Sequence, residues 1–467
     1  MIKLDNSFYQ SLNDNFYRLQ QPDPIEEPEL ILFNQKLSEY LNLSTQDKTQ
    51  DQLAMYFSGT HLPDELIPIA LAYAGHQFGN FVPQLGDGRA VLLGETVATD
   101  NIRYDIQLKG SGITPFSRSG DGKSALGPVI REYIVSEAMY NLGVPTTRAL
   151  AAVVTGETVY RQVPEPGGIF TRVAKAHIRI GSFEYFAARN KFDEVKQLAD
   201  YAISRLYPEV LDTKNPYLSF FKAVAERLLS LIAKWQGLGF IHGVMNTDNM
   251  SIAGETIDYG PCAFMDEYKA DKVFSSIDRY GRYAFNQQPS ILQWNLSLLA
   301  SCLVPLVDED QQESIKQLNA VMEQLPEIFE DAWLNVFRKK LGLSTKEQGD
   351  RKLIENLLTE FEINKTDFTI GFRELNQMKH PALKQRLASE PLSTEESIQM
   401  MNAHNPWIIP RNHQVARAID AAYQGNYDYF KKLVAAYNNP FVDQAQYSEL
   451  YNPPTNREVV TETFCGT

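Results

Sequence analysis

The sequence predicts an α+β fold in two lobes, on three observations. At 467 residues the chain exceeds what one hydrophobic core usually serves. From Gln84 to Val173 short apolar runs alternate with glycine-rich turns, a strand pattern. After about residue 180 the pattern turns helical. A strand-rich part followed by a helical part leaves a cleft, and clefts of that kind hold ligands. The domain bounds that follow are an extension over 1–60, a strand-rich lobe over 61–180, and a helical lobe with its C-terminal tail over 181–467.

The elements follow in chain order. "QQPDPIEEPEL" (20–30) is too rich in proline and acid for regular structure. "AVLLGETV" (90–97) and "RYDIQLKG" (103–110) read as strands, as do "ALAAVVTG" and "ETVYRQV" (149–163), joined by a turn at Thr155-Gly156. One helix interrupts them: Pro128 fits a first helical position, Ile130, Ile134 and Ala138 recur at helical spacing, and Gly143 supplies the stop. In "YLSFFKAVAERLLSLIAKWQGLG" (217–239), Phe221, Val224, Leu228, Leu231 and Trp235 form one stripe that ends on glycines. "ILQWNLSLLASCLVPL" (291–306) is apolar on nearly every side, as suits a buried helix. Residues 305–400 read as amphipathic helices without a site.

A composition of 43% hydrophobic and 22% charged residues is ordinary for a globular protein. The net charge of −14 argues against nucleic-acid or anionic-membrane partners, both of which need basic surface. The N-terminus lacks a signal-peptide core and transit-peptide bias, and no run approaches eighteen apolar residues, so a soluble cytoplasmic protein is expected; a monomer is expected too, although no residue pattern specifies the oligomeric state. Cys262, Cys302 and Cys465 are too few and scattered for a disulfide scaffold or a zinc site.

Chemistry enters with "QLGDGRAVLLGE" (84–95). Gly86 and Gly88 would let backbone N–H groups approach a phosphate, with Arg89 beside them, although a plain hairpin turn is the commoner reading of "GDGR". Lys109, 21 residues after Gly88, shares a strand face with Asp105 and Gln107. There a lysine is either solvated or grips phosphate oxygens, as the kinase strand lysine does. Glu132 and Glu137 lie on the following helix, and Glu132, nearer the glycine turn, is the expected partner. Residues 110–128 carry Arg118 and Lys123, flanked by Lys109 and Arg131, against the single acid Asp121 beside Gly122. That focused positive site suits a triphosphate. "GKS" (122–124) is not a P-loop, because residue 117 is serine where the first glycine belongs. Arg172, Lys175 and Arg179, with His177, form a second cationic group.

"FIHGVMNTDNM" (240–250) has the spacing of the kinase catalytic loop: His242 and Asn249 stand seven apart, as in H-R-D-L-x-x-x-N. The position of that pattern's Asp is Val244, and the nearest Asp is Asp248. Asp258 follows nine residues after Asn249 and precedes Tyr-Gly. An amide oxygen and a carboxylate are hard ligands for Mg²⁺, although Asn and Asp near a turn also serve plain turn chemistry. Taken together, glycine turn, lysine, helix glutamate, His…Asn and Asp-x-Gly predict a protein-kinase-like nucleotide site.

"YAGHQFGNFVPQLGDGRAVLLGE", "DIQLKGSGITPFSRSGDGKSALGPVIREY", "GFIHGVMNTDNMSIAGETIDYGPCAF" and the C-terminal "FCGT" resemble the SelO (selenoprotein O) family, from about residue 60 through Cys465. The resemblance implies a protein-kinase-like two-lobed fold that lacks the usual catalytic Asp and binds ATP reversed. It implies a protein adenylyltransferase that moves AMP to Ser, Thr or Tyr hydroxyls of target proteins and releases diphosphate, with UMP from UTP left open. Carried over by position, ATP contacts fall on Gly86, Gly88, Arg89, Lys109, Asp121, Gly122, Arg172, Arg179 and Asp258. The ion pair falls on Lys109 and Glu132, the proton acceptor on Asp248, and the ligands of Mg²⁺ or Mn²⁺ on Asn249 and Asp258. The family's C-terminal Cys pairs with a cysteine shortly after Asp-Tyr-Gly. Cys465 matches the first, Phe274 stands at the second, and the nearest thiol is Cys262. Two alternatives remain: a kinase that transfers the γ-phosphate, opposed by Val244, and a nucleotide-binding scaffold without chemistry, opposed by Lys109, Asn249 and Asp258.

Overall fold

Alternating side chains build the first part of the molecule. The computed structural model describes residues 2–5 and 11–464. Its strands are, in order, β1 Tyr17–Leu19, β2 Glu29–Phe33, β3 Ile69–Leu71, β4 Gly75–Gln77, β5 Asn80–Val82, β6 Ala90–Val97, β7 Arg103–Lys109, β8 Ser124–Ala125, β9 Arg148–Tyr160 and β10 Pro164–Ala174. Eight of them form an antiparallel sheet in the order β1-β3-β6-β7-β10-β9-β2, with β8 paired to β10 off that path. β4 and β5 form a separate hairpin. On β7, Ile106 and Leu108 are buried against Leu93, Val153 and Val173 on one face of the sheet. Gln107 and Lys109, at the alternate positions, belong to the other face. β6 and β7 match their expected spans within a residue.

Two local expectations are corrected. The chain does not turn at Thr155-Gly156. β9 runs on to Tyr160, and both of its arms pair with β10 around an irregularity between Val154 and Thr158. Gly156, at φ +72°, supplies the left-handed residue such a bulge needs. The reversal comes at 161–163. In the second correction, residues placed in an extension supply both edge strands, β1 and β2. Within 20–30, regular structure begins only at Glu29.

The helices follow the apolar stripes. Leu126–Asn141 starts two residues before Pro128 and stops before Gly143. Pro216–Leu238 is capped by the Asn215 side chain, which accepts from the Leu218 N–H, and ends on Gly239. Gln288–Val307 buries Leu292, Leu296, Leu299 and Leu303 completely. Extended back to Phe285, this segment is long and apolar enough to cross a membrane by length and composition, the one such helix among the described residues. No such run was expected from the sequence. Its leucines lie in the main core beside Leu228, Ile232 and Phe264, which accounts for its apolarity. The helices Asn412–Tyr423 and Asp428–Ala436 return to the first part of the chain and pack Val415, Ala418 and Phe430 on Ile130, Tyr133 and Ile134 of the Leu126–Asn141 helix. The overall architecture is thus a mixed α/β one, sheet-rich first and helical after.

One buried charge yields a prediction. Lys340 is 3% exposed, and its ammonium faces the Phe372 ring at 4.4 Å. Burial pushes it down to about 7, against ~10.4 in an unfolded chain. Between those values the unfolded chain holds a proton that the folded chain lacks, so stability rises with pH across the window. Below about pH 7 the whole penalty, on the order of a few kcal/mol, remains. Lys340→Met is expected to raise the melting temperature at pH 7 and to make no difference near pH 10.4. An equal gain at both pH values would rule out desolvation of the ammonium as the cause.

Candidate active site

A cavity of about 760 Å³ opens between the sheet and the helical part, and the glycine turn forms part of its wall. That turn is not a simple hairpin, because β6 pairs with β3 and β7, whereas β5, the strand directly before the turn, pairs with β4. Gly86 sits at φ +74°, and a Cβ there would lie 2.3 Å from the Phe116 ring. A Cβ on Gly88 would lie 2.9 Å from the Phe116 carbonyl oxygen. The glycines are therefore required by the 110–123 loop, which packs on the turn. Thr114 Oγ1 donates to the Asp87 carbonyl at 2.7 Å, and the Ser117 hydroxyl donates to that of Gly88.

The inner wall is a cluster of ions. Lys109 Nζ lies 2.6 Å from Glu132 Oε2 and 2.6 Å from Asp258 Oδ1. Arg172 reaches Asp258 Oδ1 at 2.8 Å and Glu132 Oε1 at 3.2 Å. Arg179 lies 3.6 Å from Asp258 Oδ2 and 3.5 Å from Asp87. Burial alone would raise the Asp258 carboxyl, but Lys109, Arg172 and Arg179 hold it well below the usual range. Three cations thus face three carboxylates at the floor, where incoming phosphate oxygens would compete for the same donors. Glu137 takes no part. It accepts from Arg148 Nε and Nη2, each at 2.8 Å, and from the Asn34 amide at 2.8 Å.

Asp258 stands at φ +64°, an uncommon conformation for a side-chain-bearing residue. The segment before it is tied down by His242, whose Nε2 donates to the Ile257 carbonyl at 2.9 Å while its ring stacks on Trp235. Burial lowers the pKa of His242 and favours its neutral form. Asn249 donates its amide nitrogen to the Val244 carbonyl at 3.0 Å, so its oxygen is the atom left for a cation. Val244 lines the cavity, without any proton-accepting atom in its side chain. Asp248 lines it too. Burial pushes its carboxyl up to about 6, against the pull of Arg179. Its Oδ1 has no hydrogen-bond partner among the described residues.

Gly86, Gly88, Arg89, Lys109, Asp121, Gly122, Arg172, Arg179, Asp248, Asn249 and Asp258 all line this one cavity, and Glu132 stands behind Lys109. Lys175 and His177 do not line it. The Lys175 N–H donates to Glu255, and His177 pairs with Asp105. Asp121 is already engaged: Arg161 grips its two oxygens at 2.8 and 3.0 Å and also donates to the Lys123 carbonyl. Sequence reasoning missed Arg161, because it lies in the β9–β10 turn that was misplaced at Thr155-Gly156.

Metal ions prefer convergent donors, and no group of three or more His, Cys, Asp or Glu that could hold one occurs among the described residues. An Asn and an Asp lining one cavity are nonetheless enough for Mg²⁺, which usually keeps waters and substrate phosphates in its other positions. Burial pushes the Cys262 thiol up to about 12, so it is little ionised at neutral pH. Phe274 is buried, and its carbonyl accepts from the Thr463 N–H at 2.8 Å. Cys465 lies outside the described residues.

The family described as protein adenylyltransferase SelO matches residues 3–393. A protein of Agrobacterium fabrum named protein nucleotidyltransferase YdiU is 49% identical over 488 aligned residues, which cover 100% of both chains. Proteins of the same name from Bradyrhizobium diazoefficiens and Rhizobium etli are 50% and 48% identical. They match over 98% and 99% of this chain and 98% and 97% of their own. The chain belongs to the SelO family.

Proposed function

We propose that this chain is a protein nucleotidyltransferase that moves AMP from ATP onto Ser, Thr or Tyr hydroxyls of target proteins and releases diphosphate. The observation that carries the reading is Asp248. It is a cavity-lining carboxylate, made more basic by burial, four residues beyond the position where a kinase keeps its base. The sheet bearing Lys109 and the helix bearing Glu132 are read as the first lobe of a protein-kinase-like fold. The helices after residue 180 are read as its second lobe.

In this reading the nucleotide lies reversed, with its α-phosphate toward Asp248. The target hydroxyl oxygen bonds to the α-phosphorus, the bond to the bridging oxygen of the β-phosphate breaks, and the proton passes to Asp248. Lys109, Arg172 and Arg179, with Arg89 on the glycine turn, neutralise charge on the phosphates as diphosphate leaves. Asn249 and Asp258 would hold Mg²⁺ or Mn²⁺, which when bound supplies further neutralisation. Asp121 and Gly122, braced by Arg161, border the open side of the same cavity. UTP carries the same triphosphate and would meet the same cations.

Mass spectrometry of the chain incubated with ATP, or with UTP, and a protein acceptor tests the proposal. An adduct with the mass of a nucleoside monophosphate on a hydroxyl side chain is expected. An adduct with the mass of phosphate alone would make the protein a kinase.

A further inference from the structure

The wall that carries Asp248 is built by a segment to which no role has been given. Asp248 stands on the 3₁₀ turn Thr247–Asn249. Thr247, fully buried, accepts from the His76 N–H at 2.7 Å and donates its hydroxyl to one oxygen of Glu184. The other oxygen of Glu184 lies 2.5 Å from His76 Nδ1. The three residues close a ring of hydrogen bonds between the β4–β5 hairpin, the helix Ile180–Ala187 and the turn itself. The tip of the hairpin is fastened as well. Phe78, held in the left-handed region at φ +50°, donates its N–H to Asn246 Oδ1 at 3.0 Å.

That ring presents Gln77 to the carboxylate. Gln77 Nε2 lies 3.4 Å from Asp248 Oδ2, the one side-chain hydrogen bond that Asp248 receives among the described residues. The hairpin leaves no slack. A Cβ on Gly75 would lie 2.6 Å from Asp248 Oδ1, and one on Gly181 would lie 2.1 Å from the Ala74 carbonyl. Both oxygens of Asp248 thus meet the hairpin: Oδ2 takes the Gln77 amide, and Oδ1, buried against Gly75, has no hydrogen-bond partner among the described residues.

We infer that the Gly75–Val82 hairpin is a positioning clamp for the proton acceptor. Gln77 holds Asp248 Oδ2 while Gly75 closes on Oδ1, which fixes the orientation of the carboxylate at the cavity wall, and His76, Glu184 and Thr247 set the height of the turn. This rests on the adenylyltransferase reading above. Gln77 lines the cavity but spends its amide on Asp248, away from the Lys109, Arg172 and Arg179 cluster, and Glu184 is buried behind the turn, so the clamp acts on turnover rather than on nucleotide affinity.

Gln77→Leu and Glu184→Gln are the test variants, assayed for AMP transfer to a protein acceptor. ATP affinity is measured by calorimetry and melting temperature alongside. The expected result for Gln77→Leu is a kcat lowered about tenfold or more, with ATP affinity within about twofold of wild type. Glu184→Gln is expected to lower kcat in the same sense. Should the buried Glu184 variant not fold, Gln77→Leu decides alone, since Gln77 is only half-buried. A Gln77→Leu enzyme with unchanged kcat, or one whose ATP affinity falls as far as its kcat, overturns the clamp. If the wild-type chain transfers no AMP, the adenylyltransferase reading fails and the clamp with it.

Discussion

Asp258→Ala is expected to lower AMP transfer by about 10²–10³-fold or more, a loss comparable to removing one electrostatic stabiliser from a preorganised site. The physical reason is the ion cluster. Asp258 accepts from Lys109 at 2.6 Å and Arg172 at 2.8 Å, and its other oxygen lies 3.6 Å from Arg179. Removing it leaves three cations against two carboxylates, Glu132 and Asp87, an unbalanced buried charge that costs up to about 3–5 kcal/mol, the loss seen when one member of a buried pair is removed. The melting temperature of the free variant should therefore fall. Added ATP should restore part of it, because phosphate oxygens supply the missing partners. Calorimetric scans with and without ATP check this, and full transfer by Asp258→Ala would remove it from the proposed metal site.

Asp248→Asn separates proton transfer from binding. General-base catalysis contributes about 10²–10⁴-fold, and a drop of that size in kcat is expected, with ATP affinity little changed. Burial already disfavours the Asp248 charge, so the amide should not lower stability. If ATP affinity falls in step with kcat, Asp248 belongs to the nucleotide or metal shell instead. Val244→Asp should not rescue the variant, because that position suits a nucleotide bound in the kinase sense.

Much of the site was legible because its residues announce themselves locally. The glycines at 86 and 88, a lysine on an alternating strand, and the His…Asn spacing are short-range patterns, and their side chains line one cavity. The structure pairs Lys109 with Glu132 rather than Glu137, since five residues are about 1.4 helical turns and point the two side chains to different faces, one to Lys109 and the other to Arg148. What stayed hidden depends on contacts distant in sequence. His76, Glu184 and Thr247 meet across separations of 108 and 171 residues, and no local period reports that. Thr155-Gly156 misled because a glycine in a bulge and a glycine in a hairpin turn read alike until the partner strand is known. Arg161 was lost with that turn. The edge strands β1 and β2 are only three and five residues long, too short for alternation to identify.

The most direct measurement compares ATP labelled at the α-phosphate with ATP labelled at the γ-phosphate, with Mg²⁺ or Mn²⁺ and a protein acceptor. Label retained on protein from the α-position alone, and lost in Asp258→Ala, is the predicted result. Label retained from the γ-position alone would contradict the account and make the protein a kinase despite Val244.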